Sequence, residues 1–200
     1  MPKYSIIIPA HNSEAYIQNA LKSVRKQTVE DYELIVVCDA CSDNTAEVVA
    51  KYSPDKLIKT NYHLCGPARN AGIDAATGEW VLFMDDDDRW VDGLVIITID
   101  ETLSDNIDIL YFAFHFGILG PTFQHPLREY VAVWNKCWRR TFIGKTRFPA
   151  IQYAEDEAFH RAMMEKNPRK RYITDLLYQY QYPRVGSIMH NHDHGREYPE

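Results

Sequence analysis

The chain has 200 residues, 46% of them hydrophobic and 25% charged, with a formal net charge of -6. That length and apolar content fit one domain with a full core and exclude a disordered chain. The acidic balance speaks against a nucleic-acid partner, and an acidic protein that handles anionic substrates needs a cation or local arginine and lysine to offset repulsion.

The segment 5–9, SIIIP, is a continuous apolar run, as expected of a strand covered on both faces. Asn12 or Ser13 is placed to cap the next helix, in which Ile17, Ala20, Leu21 and Val24 recur at helical spacing. Residues 33–38, ELIVVC, read as a second buried strand, and Ser42 or Asp43 as the cap of a second helix carrying Ala46, Val49 and Ala50 inward. Residues 56–59 read as a weaker third strand. Pro67 suits the first turn of a third helix that runs to Gly78. Residues 80–84, WVLFM, form a fourth buried strand that runs into Asp85, Asp86, Asp87 and Asp88. Beyond them, 92–103 reads as helix, 107–114 as strand, 117–125 as a loop turning at Gly120-Pro121, 155–166 as helix and 176–182 as strand. The tail from His190 is polar.

Strands alternating with amphipathic helices predict an α/β fold with a wound, mostly parallel sheet. Ligands in such sheets lie beyond the carboxyl ends of the strands. Residues 9–12, Asp39 and 85–88 should therefore meet in one crevice. The N-terminus enters a strand at once, so no signal peptide is expected, and the longest apolar run, 94–99, is far short of the roughly 20 residues a membrane span needs. The reading is a soluble, cytoplasmic chain, with a peripheral contact at the inner face of a membrane left open. Cys38 and Cys41 form a C-x-x-C pair that lacks a second pair for zinc and ends a strand rather than opening a helix, which favours reduced thiols.

Four carboxylates in sequence repel one another, and a cation among them relieves the repulsion. In an extended segment Asp85 and Asp87 point to one side and can converge on one ion. Hard oxygen ligands suit Mg2+ or Mn2+, which can hold a diphosphate through open positions. A solvated acidic turn, with Asp88 capping the next segment, is the plainer alternative. No glycine-rich phosphate loop of the G-x-x-x-x-G-K or G-x-G-x-x-G kind is present.

At this point the chain resembles the inverting GT-A-fold glycosyltransferases of family 2. The resemblance rests on SIIIPAHN at 5–12, DACSDNT at 39–45, ARNAG at 68–72 with ATGE at 76–79, and FMDDDD at 83–88. It continues through WNK at 134–136, Arg139-Arg140, Phe148-Pro149, Glu155-Asp156 and RVGSI at 184–188. It implies a single Rossmann-like GT-A domain, with residues 1–104 as a nucleotide-sugar-binding half and 105–200 as an acceptor and catalytic-base half. It also implies roles. Pro9, Ala10, His11 and Asp39 hold the nucleobase, with Glu14 lining the same pocket, and Arg69 approaches the base or diphosphate. Asp85 and Asp86 face the ribose and donor sugar, Asp87 binds the metal, and Asp156 is the general base, with Glu155 as its rival. The expected partners are a nucleotide sugar, uridine-linked by resemblance, and a saccharide or lipid-linked saccharide acceptor.

Ala40 and Cys41 stand where the family has Gly and Ser, so a positive φ at 40 would strain the turn. The stretch 111–133 is shorter than in relatives and the chain ends at Glu200, so a reduced or open acceptor site is expected. The basic run 166–171 reads as a solvated loop, or else as a contact to anionic lipid or diphosphate. Trp134 and Trp138 read as core before sugar platform. His190, His192 and His194 alternate, and one of them could add a metal ligand. Two rival readings stand beside the transferase. A nucleotidyltransferase should carry a Gly- and Arg-rich loop after its first strand, which 9–13 lacks. A non-catalytic nucleotide-sugar-binding module would not need Asp85, Asp87 and Asp156 together.

Overall fold

A computed structural model describes residues 1–117, 122–123 and 130–181. The first half alternates strand and helix: β1 (Tyr4–Ala10), α1 (Ile17–Arg25), β2 (Tyr32–Asp39), α2 (Thr45–Ala50), β3 (Lys56–Thr60), α3 (Cys65–Ala75) and β4 (Trp80–Phe83). A short β5 (Arg89–Trp90) and α4 (Val95–Thr102) come next. The second half carries β6 (Ile109–Phe116), β7 (Thr122–Phe123), β8 (Lys136–Arg139), α5 (Arg140–Ile143), α6 (Glu155–Met164) and β9 (Lys170–Tyr180).

The described strands form one sheet in the order β3-β2-β1-β4-β8-β6-β9-β5, with β7 paired to β6. β1, β2, β3 and β4 are mutually parallel. β8 is antiparallel to both β4 and β6, and β9 runs parallel to β6. The wound α/β sheet expected from the alternation forms, parallel across β1 to β4 and mixed beyond β4. From β1 the chain winds outward through β2 and β3, then returns to place β4 on the other side of β1. That reversal opens a crevice at the carboxyl ends of β1 and β4.

Both faces of the sheet are covered, which is why its strands read as unbroken apolar runs. Ile6, Ile8, Leu34, Val36 and Leu82 pack with Ile17, Leu21 and Val24 of α1, Val49 of α2 and Ile99 of α4. Ile7, Ile35, Val37, Val81 and Phe83 face the other way, onto Ala68 and Ile73 of α3 and Phe159 and Met163 of α6. A Cβ at Gly72 would collide with Ile7, so this glycine lets α3 lie directly on β1.

Several element ends differ from expectation for traceable reasons. Neither Asn12 nor Ser13 caps α1 through its side chain. The Asn12 side-chain carbonyl instead accepts from Ser42 N at 2.8 Å, so it joins two loops. α3 stops at Ala75 rather than Gly78 because the amides of Thr77 and Gly78 turn to the buried carboxylate of Glu33, at 2.6 and 3.2 Å. The 117–125 segment is not all loop, since β7 pairs with Phe114 and His115. The basic run is the exposed loop expected of it over 166–169, tied down at two points. Arg169 forks onto Asp108, Lys166 Nζ donates to the carbonyls of Phe142 and Ile143, and Lys170 opens β9. It sits at the opposite end of β9 from the acidic turn, roughly 30 Å of strand away, which removes it from any diphosphate there. Tyr182, the RVGSI segment, the three histidines and the tail lie outside the described residues.

Candidate active site at the strand ends

The acidic run is not extended. Asp88 N bonds Asp85 O at 3.2 Å, closing a turn over Asp85 to Asp88. Strand alternation therefore does not place Asp85 and Asp87 on one side, and the four carboxylates take different partners. Asp85 accepts from Arg69 at 2.8 Å. Asp86 Oδ2 accepts from His11 N at 3.2 Å, across the crevice between β1 and β4. Asp88 is fully buried and caps nothing downstream. It accepts from the Tyr178 hydroxyl at 2.6 Å and from Gln181 N at 2.7 Å. The same hydroxyl accepts from Asp85 N at 3.1 Å, so one β9 side chain ties both ends of the turn. Burial, then repulsion from Asp85 and Asp87, drives the Asp88 carboxyl well above the usual range.

The β1 and β2 exits are laced together. Pro9 and Ala10 end β1 in buried positions. Asp39 is buried and accepts from Thr60 Oγ1 at 2.8 Å, Tyr62 N at 2.6 Å and Leu64 N at 3.0 Å, shaping the loop after β3. His11 Nδ1 lies 2.6 Å from Asp39 O. Glu14 accepts from the backbone and side-chain nitrogens of Asn44 at 3.0 and 2.8 Å, while Asp43 accepts from Glu14 N at 3.1 Å. Ala40 has φ of 50°, the left-handed value its Gly-like position suggested. Cys38 and Cys41 are free thiols, and burial pushes Cys38 up to about 12, which leaves it unreactive.

Arg69 connects the two halves. It is buried on α3, and its guanidinium donates to Asp85 and, at 2.6 Å, to Glu155 at the start of α6. Its neighbour Asn70 exchanges both hydrogen bonds with the backbone of Phe148, at 2.9 and 2.8 Å. Glu155 is thus engaged by a cation, and the next residue, Asp156, is left as the carboxylate with the raised proton affinity. Burial raises it first and the Glu155 charge adds to that, while Arg69 opposes both. The structure brings Asp85, Arg69, Glu155 and Asp156 together, and places His11, Asp39 and Asp86 beside them. Ala154, just before this pair, is in the left-handed region with φ of 59°.

The carboxylates suit a hard divalent cation. Asp85 and Asp87 add to a local excess of negative charge that keeps the Asp88 carboxyl up, and Arg69 is shared with Glu155. Among the described residues no group of three His, Cys, Asp or Glu side chains is arranged to hold a metal. A hard divalent cation here would find carboxylate oxygens but, among the described residues, no ready three-ligand cage.

Three structural features were not read from the sequence: the Tyr178 hydroxyl under the acidic turn, the Arg69–Glu155 pair and the burial of Lys136. Lys136 is fully buried, with Nζ donating to Tyr130 O at 2.6 Å, Asn135 Oδ1 at 2.8 Å and Ala132 O. A charged residue inside an apolar stretch was the available signal, since buried lysines need several acceptors. Trp134 and Trp138 are both buried, as core residues. Trp134 stacks on Tyr178 at 4.6 Å and on Tyr180 at 5.3 Å.

The family model described as glycosyl transferase family 2 matches residues 5–172. The Bacillus subtilis protein EpsH, named a glycosyltransferase without a stated substrate, is 28% identical over 209 residues, covering 90% of this chain and 60% of its own length. The Escherichia coli enzyme WfgD, a UDP-Glc:alpha-D-GlcNAc-diphosphoundecaprenol beta-1,3-glucosyltransferase, is 36% identical over 110 residues, covering 54% of this chain and 44% of its own. The structure of Staphylococcus aureus TarS 1-349 in complex with UDP-GlcNAc superposes with a TM-score of 0.84 at 26% identity, over 94% of this chain and 60% of that one. The chain thus spans less than two thirds of the length of either curated relative. No helix among the described residues is long and apolar enough to cross a membrane.

Proposed function

The chain belongs to glycosyl transferase family 2, and from that membership we propose that it moves a sugar from a nucleotide diphosphate sugar to an acceptor hydroxyl, with inversion. A uridine diphosphate donor is the choice that the likeness to TarS bound to UDP-GlcNAc supports. WfgD, with its undecaprenol-linked saccharide acceptor, supports a saccharide or lipid-linked saccharide as acceptor. The proposed reaction belongs to surface polysaccharide or glycoconjugate synthesis, with a cytoplasmic chain and a lipid-linked acceptor that would bring it to the inner face of the membrane.

One observation carries the reading. Arg69 bridges Asp85 of the acidic turn to Glu155 of α6, and so sets Asp156 across the crevice from the donor-facing turn. In the proposed mechanism Pro9, Ala10, His11, Glu14 and Asp39 line the nucleobase pocket. Asp85 and Asp86 orient the ribose and donor sugar, and Arg69 lends positive charge beside the diphosphate. A Mg2+ or Mn2+ ion held through Asp87 would supply further charge to the departing diphosphate. Asp156 accepts the proton of the acceptor hydroxyl as that oxygen bonds the anomeric carbon from the face opposite the leaving group. A single displacement needs one base and no protein nucleophile. Burial raises the proton affinity of Asp156, which makes it a stronger base than an exposed carboxylate. Residues 1–104 then serve the donor and the remainder the acceptor and base.

The test is to incubate the protein with Mn2+ and separately with UDP-GlcNAc, UDP-glucose, UDP-galactose and GDP-mannose, and to measure nucleoside diphosphate release and transfer to added glycosides. Release that depends on the divalent ion and on one of these donors supports the reading. A protein that binds a donor but never turns it over is a binding module, and one that neither binds nor cleaves any of them removes the proposal.

A further inference from the structure

His63 lies in the loop between β3 and α3, in a backbone conformation that side chains seldom take. Its φ is 56°, in the left-handed region where glycine is the unstrained choice. Asp39 holds it there, since its carboxylate accepts from Tyr62 N at 2.6 Å and Leu64 N at 3.0 Å, one residue to either side. The backbone carbonyl oxygen of the same Asp39 lies 2.6 Å from His11 Nδ1, and His11 N donates to Asp86 at 3.2 Å. Asp39 therefore anchors two histidines, one through each kind of oxygen. Their ring centres are 6.4 Å apart and their planes meet at 61°. Both residues are exposed. Among the described residues the His63 side chain makes no hydrogen bond or ion pair, so the fold draws little from it beyond that ring contact. A glycine would take the same turn without a steric cost. A strained residue whose side chain the fold does not use, set at the mouth of the crevice, points to a ligand.

The two imidazoles make an open corner beside the carboxyl end of β1. A flat heteroaromatic laid on one ring meets the other near its edge, and base rings stack on histidine as they do on other aromatic side chains. A diphosphate fits this corner poorly, because the carboxylates of Asp39 and Asp86 stand beside it and repel an anion. We propose that His63 is a nucleobase-binding residue of the donor site: the base stacks on its imidazole, inside the corner made with His11. The inference rests on the glycosyltransferase reading. It adds a residue outside the motifs that carry the family resemblance, one that trades ease of the turn for a hold on the base.

The experiment uses the full chain with Mn2+ and titrates UDP or GDP, whichever belongs to the most active donor among the four above, by calorimetry. Inorganic pyrophosphate serves as the probe that lacks a base. His63→Gly should raise the Kd for the nucleoside diphosphate about tenfold, the loss expected for one base-stacking contact. Its Kd for pyrophosphate should stay within about twofold of the unaltered protein's, since that probe has no base to stack. Its melting temperature without ligand should not fall, because glycine accepts the left-handed turn. His63→Phe, which keeps a flat ring, should hold the nucleoside diphosphate to within about threefold of the unaltered protein. An unchanged nucleotide Kd in His63→Gly overturns the proposal, as does an equal loss for pyrophosphate, which would put the residue at the diphosphate. A ligand-free melting temperature that falls together with affinity would make His63 a prop of the loop and also overturns it, as does a His63→Phe protein that binds as weakly as His63→Gly. Failure of the underlying reading looks different, because the unaltered protein would then neither bind nor cleave any of the four donors.

Discussion

On the side of the crevice proposed to hold the donor, carboxylates and one amide oxygen grip backbone amides. On the side proposed for the acceptor, aromatic rings and a buried lysine do the holding. Asp39 fastens the loop after β3 and Glu14 and Asp43 fasten each other's loops, while Glu33, at the amino ends of the strands and away from the crevice, fastens the entry to β4 in the same way. Across the crevice, Phe148 stacks on Phe159 at 4.0 Å, Trp134 stacks on Tyr178, and Lys136 gathers its segment. Most acids near the donor loops are therefore spent as structural acceptors. The count of carboxylates overstates the chemistry, and burial and partners decide which remain for it. Arg69 joins the two sides, because its two ion pairs cross from one to the other.

The sharpest way to break the comparison is to remove that joint. Arg69→Met leaves Asp85 and Glu155 without their shared cation and should cost about 3–5 kcal/mol in urea unfolding, the usual consequence of stripping one partner from a buried pair. A loss below about 1 kcal/mol would mean the two sides do not depend on it.

Glu33 tests the structural use of acids at the other end of the sheet, the amino ends of β1 and β2. Burial pushes its carboxyl up, but bonds from Lys56, Ser5 and Thr77 outweigh this and hold it at about 2, against an ordinary 4.5. A lowered folded value stabilises above the unfolded one, so this contribution is complete above about 4.5 and fades as pH falls from there toward 2. The fading amounts to roughly 3 kcal/mol at most. Glu33→Gln should flatten that part of the stability–pH curve, and an unchanged slope would refute the network's role.

Tyr178→Phe cuts the acceptor side's hold on the acidic turn. It leaves Asp88 and the Asp85 amide short of a partner and should cost about 2 kcal/mol. Donor affinity should fall with it, as read by the melting shift with UDP and Mn2+. The smallest effect sharpens the donor side alone: Ala40→Gly relieves a left-handed alanine and should stabilise by about 1 kcal/mol.

The parallel half of the sheet was legible because each of its strands is a short apolar run between turn residues, and a strand covered on both faces has to look like that. Its crevice followed from the winding order. β8 stayed hidden because Lys136 and Arg139 flank Cys137 and Trp138, so the strand reads as a polar stretch, although Lys136 is buried by acceptors no local pattern announces. The acidic run was legible as a site but not as a turn, since an Asp85 to Asp88 turn and an extended strand have the same composition. Arg69 stood out by resemblance, yet its bond to Glu155 joins α3 to the start of α6, which only the fold brings together. Asp88 looked like the spare acid at the end of the run, and its burial under Tyr178 depends on β9 arriving beside it.

The division of labour in the crevice turns on Asp156 as the base, separate from donor binding. The decisive measurement is transfer rate and donor affinity on one Asp156→Asn protein. Transfer should fall about 10²–10⁴-fold, while the melting shift given by UDP-sugar and Mn2+ stays as in the unaltered chain. The raised proton affinity of Asp156 adds a pH signature: activity of the unaltered enzyme should drop, as pH falls, at a value above the ordinary 3.8 of an aspartate. A variant that loses donor affinity together with transfer, or that keeps its transfer rate, would contradict the role given to Asp156 and with it the separation of a donor side from a base side.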